Sequence, residues 1–189
     1  MTTREYRQTP GALVEVRVTA DGREGRITAD VMRYGIVDDY RTTFAPGVFT
    51  LSLETRLPRV LWAHDSKDPI GQWVDVDDTR SRLRMSGLLD LELIPGTTTP
   101  AVPSAHRAWS QLNSGTIDQF SVGFLRQADE RNSPRQGITT ITQAILDEAS
   151  PVLVGSVPGA VLVGVRSGRP TNLFEKRGGL RLYPTTRSK

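Results

Sequence analysis

The chain contains no cysteine and only two histidines among its 189 residues. The lack of cysteine excludes disulfide bonds and thiolate metal ligands, and two histidines without cysteine do not suggest a zinc site. No apolar run approaches the roughly 20 residues that a membrane-spanning helix needs. The N-terminal sequence MTTREYRQTPG has no apolar stretch, so we expect neither a secretory signal peptide nor a membrane partner.

Charge is unevenly distributed along the sequence. The segment Arg166–Lys189 holds seven Lys/Arg and one Glu, whereas residues 1–165 hold 17 basic and 20 acidic residues. The C-terminal segment also has five glycine or proline residues and no sustained apolar period, which is typical of mobile segments. We therefore predict a folded domain over residues 1–165 and a basic, mobile tail over residues 166–189.

Short strands dominate the predicted secondary structure. The best predicted helix is Ser104–Ser114, with Ser104 as its N-cap and Gly115 at its end, and a short helix is predicted between Pro46 and Thr55. Many short strands with two helices favour a mainly β, α+β domain: a partly closed antiparallel β-barrel with helices packed outside. Besides the strand around Ser121, the predicted strands are Leu13–Thr19, Gly25–Tyr34, Arg59–Ala63, Gln72–Val76, Arg82–Leu91, Ile138–Leu146, Val152–Val154 and Val161–Val165. The predicted loops are Gly35–Ala45, Ile94–Pro103 and Ala128–Gly137.

Ser121 is the candidate nucleophile of the sequence. It lies in an apolar run with Phe120 and Val122, where an unpaired buried hydroxyl costs roughly 1–3 kcal/mol. His64 ends another apolar run. A serine and a histidine on neighbouring strands can form a nucleophile–base pair. The residue pattern alone leaves this pair and two unrelated strand residues open as alternatives.

Other catalytic and ligand-binding signatures are absent from the sequence. Gln119 stands where a G-x-S-x-G motif around Ser121 needs glycine, and no H-E-x-x-H, Walker A loop or G-x-G-x-x-G occurs. The acidic pairs Asp38-Asp39 and Asp77-Asp78 predict turns rather than a glycosidase dyad. We therefore expect no metal and no cofactor.

Four segments, in order, resemble the prohead maturation proteases of tailed phages, the caudovirus prohead serine protease family. They are FAPGVF (Phe44–Phe49), LPRVLWAHDSKDPIGQW (Leu57–Trp73), LNSGTIDQFSVGF (Leu112–Phe124) and DEASPVLVGSVPGA (Asp147–Ala160). The chain departs from the family pattern at Gln119, where glycine is common, and at Gly155 and Ser156 in the last segment. Neither departure touches the candidate serine or histidine.

The resemblance implies a fold similar to herpesvirus assemblins and a serine endopeptidase that matures capsids. Its implied partners are a capsid-protein precursor or scaffold protein, cut inside the immature prohead in the host cytoplasm; the chain itself is a further candidate substrate. The family's nucleophile falls on Ser121 and its base on His64. A homo-oligomer is compatible with the resemblance, and no nucleic-acid partner is expected.

The third catalytic residue has several candidates. Glu148 occupies the acidic position of the last segment, where a carboxylate would orient His64; the alternative is an ordinary glutamate at a strand edge. Asp65 follows His64 directly and is predicted to be a loop residue. His106 is the runner-up because assemblins use a second histidine, although its place on the helix predicts a surface residue.

Two other functions compete with a protease. A capsid-assembly scaffold that retains a protease fold would not need Ser121 and His64, so their presence in matching segments argues against it. The basic tail could contact phosphates, but it has only Phe174 and Tyr183 as aromatic residues and matches no nucleic-acid-binding motif. We expect the tail to dock on scaffold or to be cleaved away.

Overall fold

The structure is a computed structural model that describes residues 4–8, 14–18, 25–38, 40–133 and 137–153. Two helices, α1 (Thr50–Thr55) and α2 (Pro103–Asn113), accompany the strands in these ranges. Neither helix has the length and apolar character needed to cross a membrane. The strands are β1 (Arg4–Gln8), β2 (Val14–Val18), β3 (Gly25–Arg33), β4 (Thr42–Phe44), β5 (Arg59–Leu61), β6 (Pro69–Asp78), β7 (Arg82–Leu89), β8 (Gln119–Ser133) and β9 (Ile138–Val152).

All nine of these strands belong to one curled sheet that forms a half-barrel. The order is β1-β8-β9-β5-β6-β7-β3-β2, and β4 also pairs with β9. Most neighbours are antiparallel, but the short strands β4 and β5 run parallel to β9. The predicted mainly β, partly closed barrel is confirmed, and β9 is the strand on which three others converge.

Side-chain alternation explains which strands cover the core. In β7, Leu83, Met85 and Leu89 are buried while Arg82 and Arg84 lie on the other face. In β9 this alternation stops after Ile145, and every residue from Leu146 to Val152 is buried. Strand β9 lies between β8 and β5, α1 packs against it, and the burial of consecutive residues shows that both of its faces are covered.

The core contains an aromatic cluster and the apolar face of α2. Phe44 and Phe124 meet edge to face with ring centroids 5.2 Å apart, and Phe49 lies 6.3 Å from Phe124. The apolar stripe of α2 is buried at Ala105, Ala108 and Leu112. Such aromatic pairs add about 0.5–1.5 kcal/mol beyond the area they bury. The core therefore ties β4, α1 and β8 together next to the candidate serine.

Several local predictions were wrong. Within predicted loop 35–45, Thr42–Phe44 form β4, because pairing with β9 overrides a polar local sequence. Within predicted loop 128–137, β8 continues to Ser133 through several bulges against β9. Strand β1 was not predicted, since its polar residues carry no alternation. Ser104 does not cap α2, because Val102 is the N-cap and the Ser104 hydroxyl donates to Asp68 Oδ1 at 2.5 Å.

Two further predictions lie outside the described residues. They are the strand Val161–Val165 and the basic tail over residues 166–189. The domain boundary between residues 165 and 166 therefore stays a prediction.

The predicted turn at Asp77-Asp78 is also corrected. Both residues end β6, and Asp78 is 4% exposed. The Tyr34 hydroxyl donates to Asp78 Oδ1 at 2.8 Å. Burial raises the pKa of Asp78 to about 6, the nearby charge of Asp77 also raises it, and the hydrogen bond from Tyr34 lowers it. Burial likewise raises the pKa of Tyr34 well above its usual value.

We predict that Asp78→Asn raises the melting temperature at pH 7–8 by a few °C and changes it little near pH 4. The folded pKa of Asp78 lies above the ordinary 3.8, so its stabilising contribution is complete at low pH and is lost as the pH rises through about 6. Asparagine keeps an acceptor for Tyr34 and carries no charge. The measurement is thermal melting from pH 4 to 8, with Asp75→Asn on the exposed face of β6 as the control. A lower melting temperature for Asp78→Asn at pH 7 would contradict this account.

Candidate active site

Ser121 lies near the start of β8, which is flanked by β9 and β1 in the sheet. It is opposite Ser150 of β9 on one side and Gln8 of β1 on the other. The serine is fully buried, and its Oγ lies 2.7 Å from His64 Nε2. The polar side chain in this apolar run therefore has a histidine as its hydrogen-bond partner.

His64 lies in a tight turn just after β5. Ala63 has φ 47° and His64 has φ 69°, both in the left-handed region that non-glycine residues rarely adopt. The Asp65 N–H donates to the Trp62 carbonyl at 2.9 Å, and the Ala63 N–H donates to the Pro151 carbonyl at 3.3 Å. Strained residues of this kind persist only where the surrounding structure holds them, and they cluster at functional sites. Here the strained turn brings the imidazole to Ser121.

Glu148 meets the other nitrogen of the same imidazole. It lies on β9, is fully buried, and its Oε1 is 2.8 Å from His64 Nδ1. Its second oxygen accepts a hydrogen bond from the Ser150 hydroxyl. A carboxylate at Nδ1 favours the tautomer that carries its proton there, which leaves Nε2 free to accept a proton from a serine.

The sheet register decides which of two adjacent carboxylates reaches His64. Asp147 precedes Glu148 on β9, and its Oδ1 instead pairs with Arg56 at 2.8 Å. Asp147 is the unpaired residue of a bulge in β9, because Gly123 pairs with Glu148 and Phe124 pairs with Leu146. Glu148 is therefore the carboxylate of the site, and Asp147 ties β9 to the end of α1.

Gly123 makes room for the glutamate. It lies opposite Glu148 in the β8–β9 pair, and a Cβ at this position would lie 2.7 Å from Glu148 Cγ and Oε1. A side chain here would push the carboxylate away from His64. The glycine two residues after Ser121 thus belongs to the architecture of the site.

A hydroxyl, an imidazole and a carboxylate joined in this order are the groups of a serine hydrolase. The comparison with protein families agrees. A model described as caudovirus prohead serine protease matches residues 13–172. The chain belongs to this family. It is therefore a serine protease of prohead maturation, as its sequence segments predicted.

The fold comparison gives the same architecture for the protease. Its chain is similar to the solved structure of the bacteriophage T4 capsid assembly protease, gp21, with a TM-score of 0.51 and 10% sequence identity. The similarity covers 79% of this chain and 96% of that chain. At this identity the likeness concerns the fold alone. No match to the protease was found among the curated proteins compared with it.

Strand β1 of the protease pairs with the edge of β8 that faces away from β9, beside Ser121. The ring of Tyr6 meets the His64 ring edge to face, with centroids 4.6 Å apart. Glu5 binds Arg126 with both carboxylate oxygens, at 2.9 and 2.7 Å. The first described residues of the chain therefore lie directly against the candidate site.

The other predicted site residues lie elsewhere. His106 is on α2, with its Nε2 3.0 Å from the Leu91 carbonyl oxygen rather than at His64. Asp65 is exposed in the turn and accepts the Lys67 N–H at 2.9 Å. Trp73 is in the core, with its indole N–H donating to the Ala149 carbonyl at 3.2 Å. Trp62 is half-buried and lies under the Arg107 guanidinium, 5.0 Å from the ring centroid.

Ser150, Gly123 and Tyr6 are residues of the site that sequence reasoning missed. Ser150 and Gly123 lie in two of the four family-like segments, so their position in these segments could have marked them as candidate site residues. Tyr6 had none. Within the described ranges no three His, Asp or Glu residues are grouped to hold a metal ion.

Proposed function

We propose that Ser121, His64 and Glu148 are the catalytic triad of this prohead protease. The observation that carries the proposal is the unbroken chain of two hydrogen bonds, 2.7 Å from Ser121 Oγ to His64 Nε2 and 2.8 Å from His64 Nδ1 to Glu148 Oε1. His64 is 22% exposed, whereas Ser121 and Glu148 are fully buried. Only the histidine between them can exchange protons with solvent directly.

In this proposal each of the three groups has a separate role in one acyl-transfer reaction. Ser121 Oγ attacks the scissile carbonyl while His64 Nε2 takes its proton, and His64 then passes that proton to the leaving amine. Glu148 stays ionised, holds the imidazole in position and stabilises its protonated form. A water molecule attacks the acyl-enzyme, again with His64 as base, and releases Ser121.

The substrates we propose are the major capsid protein precursor or the scaffold protein, cut inside the immature shell in the host cytoplasm. Membership in the prohead protease family supports this assignment. Arg166–Lys189, a basic segment in a chain whose remainder is mildly acidic, is proposed to recruit the protease to acidic scaffold in a salt-dependent way.

Co-expression tests this function against the non-catalytic scaffold. The protease is expressed with the capsid precursor and scaffold genes of its phage, and their products are followed by intact mass. We expect shortened products that vanish with Ser121→Ala while shells still assemble. Identical products with and without the serine would favour the scaffold. A buried carboxylate and a strained histidine carry a folding cost that a scaffold would have no reason to retain.

Glu148→Gln is predicted to lower kcat by about 10²–10⁴-fold with a largely unchanged fold. Glutamine matches the volume of glutamate but removes the charge, and its amide N–H can favour the wrong tautomer of His64. The measurement is steady-state cleavage of a peptide that spans a mapped capsid cut site. His106→Ala is the control and should be nearly silent. If His106→Ala is the severe variant and Glu148→Gln the mild one, the triad is Ser–His–His and the acidic assignment is wrong.

Strand β1 also suggests how an extended substrate meets the site. Extended peptides commonly bind by adding a strand to a sheet edge, and the edge of β8 next to Ser121 is filled by β1. We propose that the substrate strand pairs with β8 where β1 lies. Bound β1 then competes with substrate for the same backbone groups.

Removal of residues 1–8 is accordingly predicted to raise kcat/KM for a short peptide by about tenfold or more, because the fraction of protein with an open edge increases. Tyr6→Ala and Glu5→Gln should act in the same direction but more weakly, since each removes one contact of β1 with His64 or Arg126. The measurement compares initial rates after thermal melts have matched the folded fractions. An unchanged or lower kcat/KM for a folded truncation would refute the competition.

A further inference from the structure

Ser150 joins the acidic residue of the site to the strand that leads to the histidine. It is fully buried on β9, and its hydroxyl donates to Glu148 Oε2. The same oxygen accepts the backbone N–H of Leu61, the last residue of β5, at 3.2 Å. Three residues after Leu61 comes His64.

The Ser150 hydroxyl supplies a hydrogen bond that the buried carboxylate of Glu148 requires. An ionised carboxylate accepts several hydrogen bonds, and one that lacks them in an apolar interior tends to take up a proton instead. Oε1 of Glu148 is occupied by His64, and Ser150 is the donor to Oε2. With both oxygens held, the plane of the carboxylate is fixed and Oε1 stays directed at His64 Nδ1.

The Leu61 N–H gives the hydroxyl its direction. A serine hydroxyl can rotate about its C–O bond. When its oxygen accepts a hydrogen bond on one side, the hydroxyl hydrogen is directed away from that donor. Here Leu61 approaches Oγ, and the hydroxyl hydrogen is directed to Glu148. One serine thus sets both the orientation of Glu148 and its position relative to the His64 turn.

We propose that Ser150 is a positioning residue of the protease, acting on catalysis only through Glu148. The inference rests on the proposed triad and extends it by one residue. A merely structural Ser150 would bridge β5 and β9 and affect stability, but would leave the chemistry of His64 unchanged.

The test is steady-state kinetics of Ser150→Ala on a capsid cut-site peptide from pH 5 to 9. We expect kcat to fall about 10- to 100-fold, the loss typical of a hydrogen bond to a charged group, with KM nearly unchanged. The acid limb of the rate profile should move, because a carboxylate that Ser150 no longer holds in place interacts differently with the protonated imidazole of His64. Ser150→Thr, which keeps the hydroxyl, should restore most of kcat and the position of the limb.

A double-mutant comparison decides whether Ser150 acts through Glu148. In a Glu148→Gln background, Ser150→Ala should cost less than threefold, since the carboxylate it positions is already gone. Ser150→Cys, close in shape and a weak donor, should give the intermediate kcat if alanine does not fold. Wild-type kcat and pH profile for folded Ser150→Ala or Ser150→Cys would overturn the proposal, and so would full additivity with Glu148→Gln.

The two levels of inference fail separately. If Ser121→Ala remains active, the proposed triad is wrong and the role of Ser150 falls with it. If Ser121→Ala is inactive while Ser150→Ala behaves as wild type, only the positioning role is wrong.

Discussion

Ser121→Ala is expected to abolish proteolysis, lowering kcat by about 10⁴–10⁶-fold, while the protein stays folded. The Ser121 Oγ is 2.7 Å from His64 Nε2, and no other hydroxyl in the described ranges is hydrogen-bonded to this histidine. Alanine removes one oxygen from a fully buried strand position and leaves the flanking Phe120 and Val122 in place. Its melting temperature should therefore lie close to that of the wild type.

Two measurements make this result specific. Ser86→Ala is the matched control, because Ser86 is also a strand serine but its hydroxyl lies 3.0 Å from that of Thr28. A fluorophosphonate probe should label the wild type and Ser86→Ala at one serine and should leave Ser121→Ala unlabelled. Labelling of another serine, or normal capsid processing by Ser121→Ala, would remove Ser121 from the role of nucleophile.

His64→Asn is expected to cause a loss in kcat as large as that of Ser121→Ala, because no base remains to take the hydroxyl proton. Asparagine is the informative substitution here. Position 64 has φ 69°, and asparagine tolerates left-handed backbone better than alanine does. The loss can then be attributed to the missing imidazole rather than to a disturbed turn.

The double variant and the pH profile identify His64 as base. Residues that act as one catalytic unit are not additive, so Ser121→Ala combined with His64→Asn should be scarcely slower than either single change. The wild-type rate should fall at acid pH, since only the neutral imidazole accepts a proton. A rate that is flat from pH 5 to 8, or single losses that multiply in the double variant, would contradict this role.

The two variants should differ in stability. Ser121→Ala leaves the buried Glu148 carboxylate with both of its partners, whereas His64→Asn removes the partner of Oε1. An unpartnered buried carboxylate is destabilising. The histidine variant should therefore melt at the lower temperature of the two.

Local pattern predicted much of the fold and made Ser121 and His64 candidates for the site. The alternation of β7 and the apolar stripe of α2 follow from side-chain periods of 2 and 3.6, which the sequence displays directly. Ser121 and His64 stood out because each is a polar residue joined to an apolar run. What these patterns could not predict was β4, a three-residue strand of threonines and a phenylalanine that exists through its pairing with β9.

The sequence by itself determined which residues were candidates, since the order of the four family-like segments and the scarcity of histidine are properties of the chain alone. Only the tertiary structure decided which of them meet. Asp147 and Glu148 are adjacent and chemically alike, and a shift of one residue in the β8–β9 register would exchange their faces. The same register sets Ser150 opposite Ser121 and Gly123 opposite Glu148, and the β1–β8 pairing places Tyr6 beside the imidazole. Register depends on long-range backbone pairing across the whole sheet, so no local period of the sequence encodes it.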